Sequence, residues 1–179
     1  MMMKDQTKMS SEARQRLIMD RLKETNRAIT GSEFAKQTNV SRQVIVQDVS
    51  ILKAKNEPII ATSQGYMLLN QNEVDVRRSV IVCNHTAEQT LEELQIIVDH
   101  GVTVKDVIVE HAVYGDITAS IRVSNRAEVN QFVKKINDSK ATYLSALTAG
   151  IHLHTLEADS NDKIEAACHD LDAAGLLIK

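Results

Sequence analysis

The chain has 179 residues, 43% of them hydrophobic, which is enough to bury a core in one or two domains. Its formal net charge is −3, its two cysteines are far apart, and no run approaches the roughly 18 apolar residues of a membrane span. These features exclude a disulfide framework, a thiolate metal motif and a membrane protein; with no apolar stretch typical of a signal peptide at the start, we expect a cytoplasmic protein with reduced thiols.

The first part of the chain predicts three helices. Apolar residues recur at helical spacing over residues 11–25. Residues 30–33 have the spacing of a capping box and predict a short second helix of about seven residues. Residues 38–40 interrupt the pattern, and Ser41 is an N-cap that begins a third helix reaching about Ala54. Three helices with a tight turn between the last two are typical of a helix-turn-helix.

The third helix carries a polar face suited to DNA contacts. We predict that its DNA-contacting residues are Ser41, Arg42, Gln43, Val46 and Gln47. Arginine pairs with guanine, glutamine with adenine, and valine can contact a thymine methyl group in the major groove. The alternative is an ordinary solvated helix face, and the tight turn together with the basic charge of this part favours DNA binding.

A hairpin is predicted directly after the third helix. Residues 58–62 and 66–69 flank Ser63, Gln64 and Gly65, and glycine accepts the positive φ that a short hairpin requires. As a wing, this hairpin would bring Ser63 and Gln64 to the DNA backbone or minor groove. A hairpin that only closes the small core is an equally weighted alternative.

A linker over residues 70–73 divides the chain into predicted domains 1–72 and 73–179. The first holds eleven basic and seven acidic residues, a charge of +4, and the second holds ten and seventeen, a charge of −7. This distribution predicts a polyanionic partner for the first domain only.

The second domain alternates strand and helix periods. The predicted strands are 80–83, 106–113, 117–123, 151–158 and 176–178, and the predicted helices are 86–100, 126–137 and 163–174. This order favours an α+β sandwich of the ferredoxin-like kind, with helices on one face of a mostly antiparallel sheet. It contains no glycine-rich phosphate loop.

The segment 150–157 alternates apolar and polar residues and places His152 and His154 on one face of a strand. Their Cα atoms would be roughly 6.5–7 Å apart, so both imidazoles can reach one transition-metal ion. His85 and Glu93 are the candidates for further ligands, because a helical side chain leans toward the helix start and so toward His85. A capping or surface role is the alternative for His85.

Two motifs, residues 106–116 and residues 150–157, together with His85 upstream, resemble the niacin-responsive transcription repressors over nearly the whole chain. That family combines a winged helix-turn-helix with a three-histidine (3H) domain. The resemblance implies a dimeric repressor of genes for niacin uptake and NAD synthesis that binds operator DNA more tightly with nicotinic acid.

The resemblance also implies the site residues. One zinc or nickel ion per chain would be held by His85, Glu93, His152 and His154. The effector site would include His111 and Tyr114, although Ala112 stands where the family pattern has proline. Nicotinate offers a carboxylate and a pyridine nitrogen, both of which can bind a metal ion with an open position.

Two alternatives to a niacin-responsive repressor follow from the residues. In one, the metal itself is the signal that the DNA-binding protein senses. In the other, the same ion activates water in a metal-dependent hydrolase, with Glu110 or Glu157 as the base. We expect a regulator and not an enzyme, because no general base is well placed.

Overall fold

The computed structural model describes residues 9–69 and 76–179. They form two compact units, whose boundary and the predicted linker lie outside the described residues. Within this part of the chain, every helix is too short or too polar to cross a membrane.

The amino-terminal unit has the predicted three helices and hairpin. Its elements are α1 (Ser11–Lys23), α2 (Gly31–Thr38), α3 (Arg42–Ala54), β1 (Ile59–Thr62) and β2 (Gly65–Leu68). The predicted capping box is confirmed, since the Thr30 hydroxyl accepts from the Glu33 amide and the Glu33 carboxylate accepts from the Thr30 amide. Ser41 caps α3 as predicted. These local hydrogen bonds begin α2 and α3 and so set the length of the turn between them.

The hairpin is joined to the helices through backbone contacts. Ile29 and Tyr66 exchange hydrogen bonds of 2.8 Å in both directions. Gly65 has φ +131°, and a Cβ there would lie 2.5 Å from the Ile29 carbonyl oxygen. Glycine is therefore required at this turn, both for its backbone angle and for the close approach of the two chain segments.

The carboxy-terminal unit is an antiparallel sheet with helices. Its strands are β3 (Arg77–Asn84), β4 (Thr103–His111), β5 (Gly115–Val123), β6 (Ile151–Ala158) and β7 (Leu177–Ile178). Its helices are α4 (Thr90–Asp99), α5 (Arg126–Ser139) and α6 (Asn161–Ala173), with 3₁₀ turns at Ala87–Gln89 and Leu144–Thr148. The strand order is β5-β4-β6-β3-β7, and every pair is antiparallel.

The α+β class is confirmed, while the strand order differs from the ferredoxin-like one in the positions of β5 and β6 and in the added edge strand β7. β3, α4 and β4 form a split β-α-β unit, because β6 runs antiparallel between β3 and β4. In the ferredoxin-like order the hairpin strand, here β5, would occupy that position. Here the hairpin places β5 at the sheet edge, which leaves the central position to the strand with two histidines.

One sheet face is covered by the helices, with α4 between α5 and α6. The alternation along β3 identifies that face, because Ile81 and Cys83 are buried whereas Val80 is exposed. Along β6, His152 and His154 are buried on the same face. The histidines therefore point into the layer between the sheet and α4.

Candidate metal centre and nucleic-acid interface

The register between β3 and β6 brings the candidate metal ligands together. His152 lies opposite Cys83, and His154 lies opposite Ile81. His85 directly follows the end of β3, and Glu93 lies in the first turn of α4 above the sheet. A loop, a helix and a strand thus each contribute to one cluster.

The carboxylate of Glu93 lies among the three imidazoles. Its oxygens are 2.8 Å from Nε2 of His85, 3.1 Å from Nε2 of His152 and 3.3 Å from Nε2 of His154. All four side chains are 1–3% exposed, so the cluster has no contact with bulk water. A buried charge of this kind requires a compensating charge nearby.

The backbone fixes the orientation of every ring in the cluster. The Nδ1 atoms lie 2.8 Å from the Thr86 carbonyl oxygen for His85, 2.8 Å from that of Gly150 for His152, and 2.7 Å from that of Asp106 for His154. A carbonyl oxygen only accepts, so each Nδ1 carries a hydrogen. In the neutral rings, three Nε2 lone pairs therefore face the Glu93 carboxylate.

Lone pairs directed at a carboxylate repel it unless cations lie between them. Three buried atoms make no aligned hydrogen bond: Nε2 of His85, Nε2 of His154 and Oε2 of Glu93. The two nitrogens nevertheless lie 2.8 and 3.3 Å, respectively, from that oxygen. Either protons or a metal ion can compensate for the repulsion. Three imidazoles with Nδ1–H held by carbonyls and one carboxylate are a donor set that fits a divalent transition-metal ion.

The pKa shifts show what protons would do here. Although burial alone lowers the pKa of both His85 and His154, the Glu93 carboxylate raises each above its ordinary value. Although burial alone raises the pKa of Glu93, the adjacent His154 and His152 hold it well below the usual range. The cluster thus favours cations on nitrogen and an ionised carboxylate.

Gly150 allows the loop with His85 to approach the start of β6. Its φ is +102°, and a Cβ at this position would lie 2.5 Å from the His85 carbonyl oxygen and 2.9 Å from Oδ1 of Asn84. Its own carbonyl oxygen accepts from the His85 amide and contacts the His152 ring. Gly150 therefore positions two of the candidate ligands.

Cys83 also belongs to this cluster. Its Sγ, a carboxylate oxygen of Glu93 and a ring nitrogen of His152 all lie within 4.8 Å of one another. The sequence predicts a reduced thiol at this position, and Cys83 is free and buried. The sequence signal for its place in the cluster is the i, i+2 spacing to His85, the same spacing that relates His152 and His154.

A cavity of about 150 Å³ adjoins the cluster. Glu93 and His154 form one part of its wall. Most of the remaining wall is apolar and is contributed by Val107, Ala119, Ile121, Phe132, Ile136 and Leu144. A flat, largely apolar ring with one anionic group would fit such a space beside a metal ion.

His111 and Tyr114, the predicted effector residues, lie elsewhere. They are at the tip of the β4–β5 hairpin, where Tyr114 is 79% exposed and its ring centroid is 5.0 Å from that of His111. Nδ1 of His111 accepts from the amides of Val113 and Tyr114. Within one chain they do not line the cavity, so the structure does not bring them together with the cluster.

The predicted DNA-contacting face of α3 faces solvent. Arg42, Gln43 and Gln47 are exposed and Val46 is half-buried. The Ser41 hydroxyl accepts from the Val44 amide at the start of the helix. In the wing, Ser63 and Gln64 are half-buried, and Nε2 of Gln64 donates to the Ser63 hydroxyl.

A buried ion pair holds α3 against α1. Nε of Arg14 is 2.7 Å from Oδ2 of Asp48, and the Ser11 hydroxyl donates to Oδ1 at 2.7 Å. Although burial alone raises the pKa of Asp48, Arg14 and Ser11 keep it below its ordinary value. Loss of one partner from such a buried pair costs about 3–5 kcal/mol, so this contact fixes the orientation of the exposed face of α3.

Comparisons with known proteins divide the chain in the same way. Residues 14–67 match the HTH domain and residues 78–179 match the 3H domain. The chain is 58% identical over 161 residues to the transcription repressor NadR of Bacillus subtilis, which covers 88% of this chain and 89% of that protein. It is 40% identical over 162 residues to the probable transcription repressor NiaR of Thermotoga maritima, with 90% of each chain covered.

Proposed function

Because the chain belongs to the niacin-responsive family of transcription repressors, we propose that it represses genes for niacin uptake and NAD biosynthesis, with nicotinic acid as co-repressor. It is a DNA-binding transcription repressor and not an enzyme. Beyond a DNA-binding repressor, we propose nicotinic acid as the effector, a bound metal ion, a homodimer and a cytoplasmic location.

The metal site of this proposal consists of His85, Glu93, His152 and His154, which would hold one zinc or nickel ion. The single observation that supports it is the set of three Nε2 atoms, each with its Nδ1 against a carbonyl, around one buried carboxylate. A bound ion would supply a Lewis-acidic position for the carboxylate or pyridine nitrogen of nicotinate. The chain itself excludes water and holds the rings in place.

The cavity beside Glu93 and His154 is the place that the geometry favours for nicotinic acid. Its apolar wall, which includes Phe132 and Ile121, can pack against the pyridine ring. His111 and Tyr114 stay predictions from the family resemblance, and their position at the hairpin tip supports a role there only through another molecule or another chain.

DNA recognition would use Arg42, Gln43, Val46 and Gln47 in the major groove, with Ser41, Ser63 and Gln64 on the backbone. Two copies of α3 in a homodimer must lie about 34 Å apart, or a multiple of that distance, to enter successive grooves. Nicotinic acid can act as co-repressor only if it binds the conformation with this spacing more tightly than the others.

The test is a fluorescence-anisotropy titration of the protein onto DNA from upstream of its own gene. The metal-loaded and the metal-stripped protein are each measured with and without nicotinic acid at one fixed salt concentration. We expect nicotinic acid to tighten binding for the metal-loaded protein alone. No response in either form contradicts the effector, and an equal response in both forms contradicts the metal.

A metal-responsive regulator is the second candidate, favoured by the fact that the cluster is a complete donor set without any effector. It predicts that metal alone changes DNA affinity in the same titration. The hydrolase alternative finds no support in the fold. Glu110 and Glu157 lie on the sheet face opposite the cluster, and Glu157 is paired with Arg78 and Lys105.

A further inference from the structure

Cys83 has the position of a metal ligand. It lies on β3 two residues before His85, and its backbone lies opposite His152 in the neighbouring strand, so its side chain points to the same sheet face as that of His152. The residue is fully buried and its thiol is free. No other cysteine of the described chain shares this group of donors with Glu93 and His152.

The distances allow one ion to bind all of these donors. Sγ of Cys83, an oxygen of Glu93 and a nitrogen of His152 lie within 4.8 Å of one another. Ligands on one ion, with bonds of about 2.0–2.3 Å, are separated by at most about 4.5 Å. Sγ therefore lies close to the range in which one ion can bind it together with Glu93 and His152.

A second observation points into the same space. Nε2 of His85, Nε2 of His154 and Oε2 of Glu93 are buried atoms without an aligned hydrogen bond. They come from the loop, the central strand and the helix, respectively, and Oε2 belongs to the same carboxylate that lies near Sγ of Cys83. The thiol is thus adjacent to a set of electron-pair donors that lacks a compensating cation.

The charge of the site gives a reason for a thiolate. A divalent ion with Glu93 as its single anionic ligand would carry a net charge of +1 in a cluster that is 1–3% exposed, and burying an uncompensated charge is costly. Without nicotinate, a thiolate makes the site neutral. It also adds a soft ligand, which suits zinc better than manganese.

We propose that Cys83 is a fifth protein ligand of the metal ion, bound through its thiolate sulfur. The inference rests on the proposed metal site and adds a residue to it. On binding, the S–H proton leaves to solvent, a metal–sulfur bond forms, and the oxidation state of the metal does not change. In the competing arrangement, the thiol stays protonated beside Glu93 and only fills space.

Cobalt(II) is the probe that separates these arrangements, since a thiolate ligand produces a sulfur-to-cobalt charge-transfer band in the near ultraviolet. The full-length protein, Cys83→Ser and the matched control Cys168→Ser are stripped of metal and titrated with cobalt(II). We expect the band in the first and the third protein and its complete loss in Cys83→Ser. Visible ligand-field bands from nitrogen and oxygen ligands should persist in all three.

Two outcomes of this titration distinguish failure of the thiolate ligand from failure of the metal site. If cobalt binds with ligand-field bands but no charge-transfer band in the unmodified protein, the thiolate is refuted and the metal site stands. If no cobalt binds at all, the metal site itself fails.

Zinc-edge X-ray absorption is the second measurement, and we expect it to show one sulfur at about 2.3 Å from the zinc ion. Cys83→Ala, compared by thermal unfolding of the metal-free proteins, shows whether loss of the band reflects loss of the fold. If Cys83→Ser and Cys83→Ala both unfold, the zinc spectrum of the unmodified protein decides, and the absence of sulfur overturns the inference.

Discussion

At the proposed metal site, protons and a metal ion would compete for the Nε2 atoms of the histidines, and this predicts opposite pH dependences for the metal-free and the metal-loaded protein. Without metal, the stability of the carboxy-terminal unit should fall as the pH rises from 6 to 8. With metal, it should rise over the same range, because the ion binds only rings that have lost the Nε2 proton.

The sign follows from the pKa directions. The pKa values of His85 and His154 are raised above 6.5, so their stabilising contribution is complete below that value and is lost as the pH rises through the folded-state pKa values. The pKa of Glu93 is lowered below 4.5, so its contribution is present above that value and is lost only in stronger acid. The metal-free cluster therefore contributes most to the stability of the folded state between pH 4.5 and pH 6.5.

The size follows from the number of protons retained. Each ring that keeps its proton after the unfolded chain has lost it changes the free energy of unfolding by about 1.4 kcal/mol per pH unit. Two such rings, His85 and His154, set an upper limit of about 2.7 kcal/mol per pH unit on the slope. This slope exceeds what a single surface histidine produces.

The assay is urea denaturation followed by circular dichroism at several pH values, with and without zinc. The helix-turn-helix unit contains no histidine, so its contribution to the unfolding curve should not change with protonation of these rings. His169→Ala removes a histidine whose side chain is 82% exposed and should leave both slopes unchanged. Parallel pH profiles for the metal-free and metal-loaded protein would refute the competition.

Three further predictions concern the DNA-contacting face, the loop geometry and the cavity. Arg42→Ala should weaken operator binding by about 10–100-fold, against little change for the charge-matched Lys134→Ala, in anisotropy titrations. Gly150→Ala should abolish zinc binding measured by calorimetry, because the added Cβ would clash with the His85 carbonyl oxygen. Gly175 also has a positive φ, +72°, but no atom lies within 4 Å of a Cβ there. Gly175→Ala should therefore cost only the backbone strain of about 1–3 kcal/mol and still bind zinc. Ala119→Leu should fill the cavity and remove the response of DNA binding to nicotinic acid while zinc affinity is retained. Thr118→Leu, on the opposite sheet face, should leave that response intact. Loss of the response in both variants would count against the cavity.

Local signals in the sequence were sufficient for the amino-terminal unit. The capping box at Thr30 and Glu33, the N-cap at Ser41 and the turn at Gly65 involve residues within a few positions of one another, so they could be recognised without knowledge of the fold. The i, i+2 spacing of His152 and His154 likewise fixed their common face.

Long-range pairing was not accessible in this way. No local pattern indicates that β6 lies between β3 and β4, and for that reason neither the proximity of Cys83 to His152 nor the cavity beside Glu93 was predicted. The assignment of His111 and Tyr114 to the effector site follows from the family resemblance alone, and a short motif gives no information on how far a hairpin tip lies from a buried cluster.

The position of β6 in the middle of the sheet also has a consequence for the order of events during synthesis. A nascent chain that has emerged as far as Ser139 contains β3, α4, β4, β5 and α5, but not the strand that belongs between β3 and β4. The two halves of the sheet must therefore wait for residues 151–158 before they can join, and this non-local step is intrinsically slow. At the proposed metal site, an ion that the ribosome-bound chain meets earlier would find Cys83, His85 and Glu93 without the two histidines of β6, so the complete donor set forms only with the completed sheet.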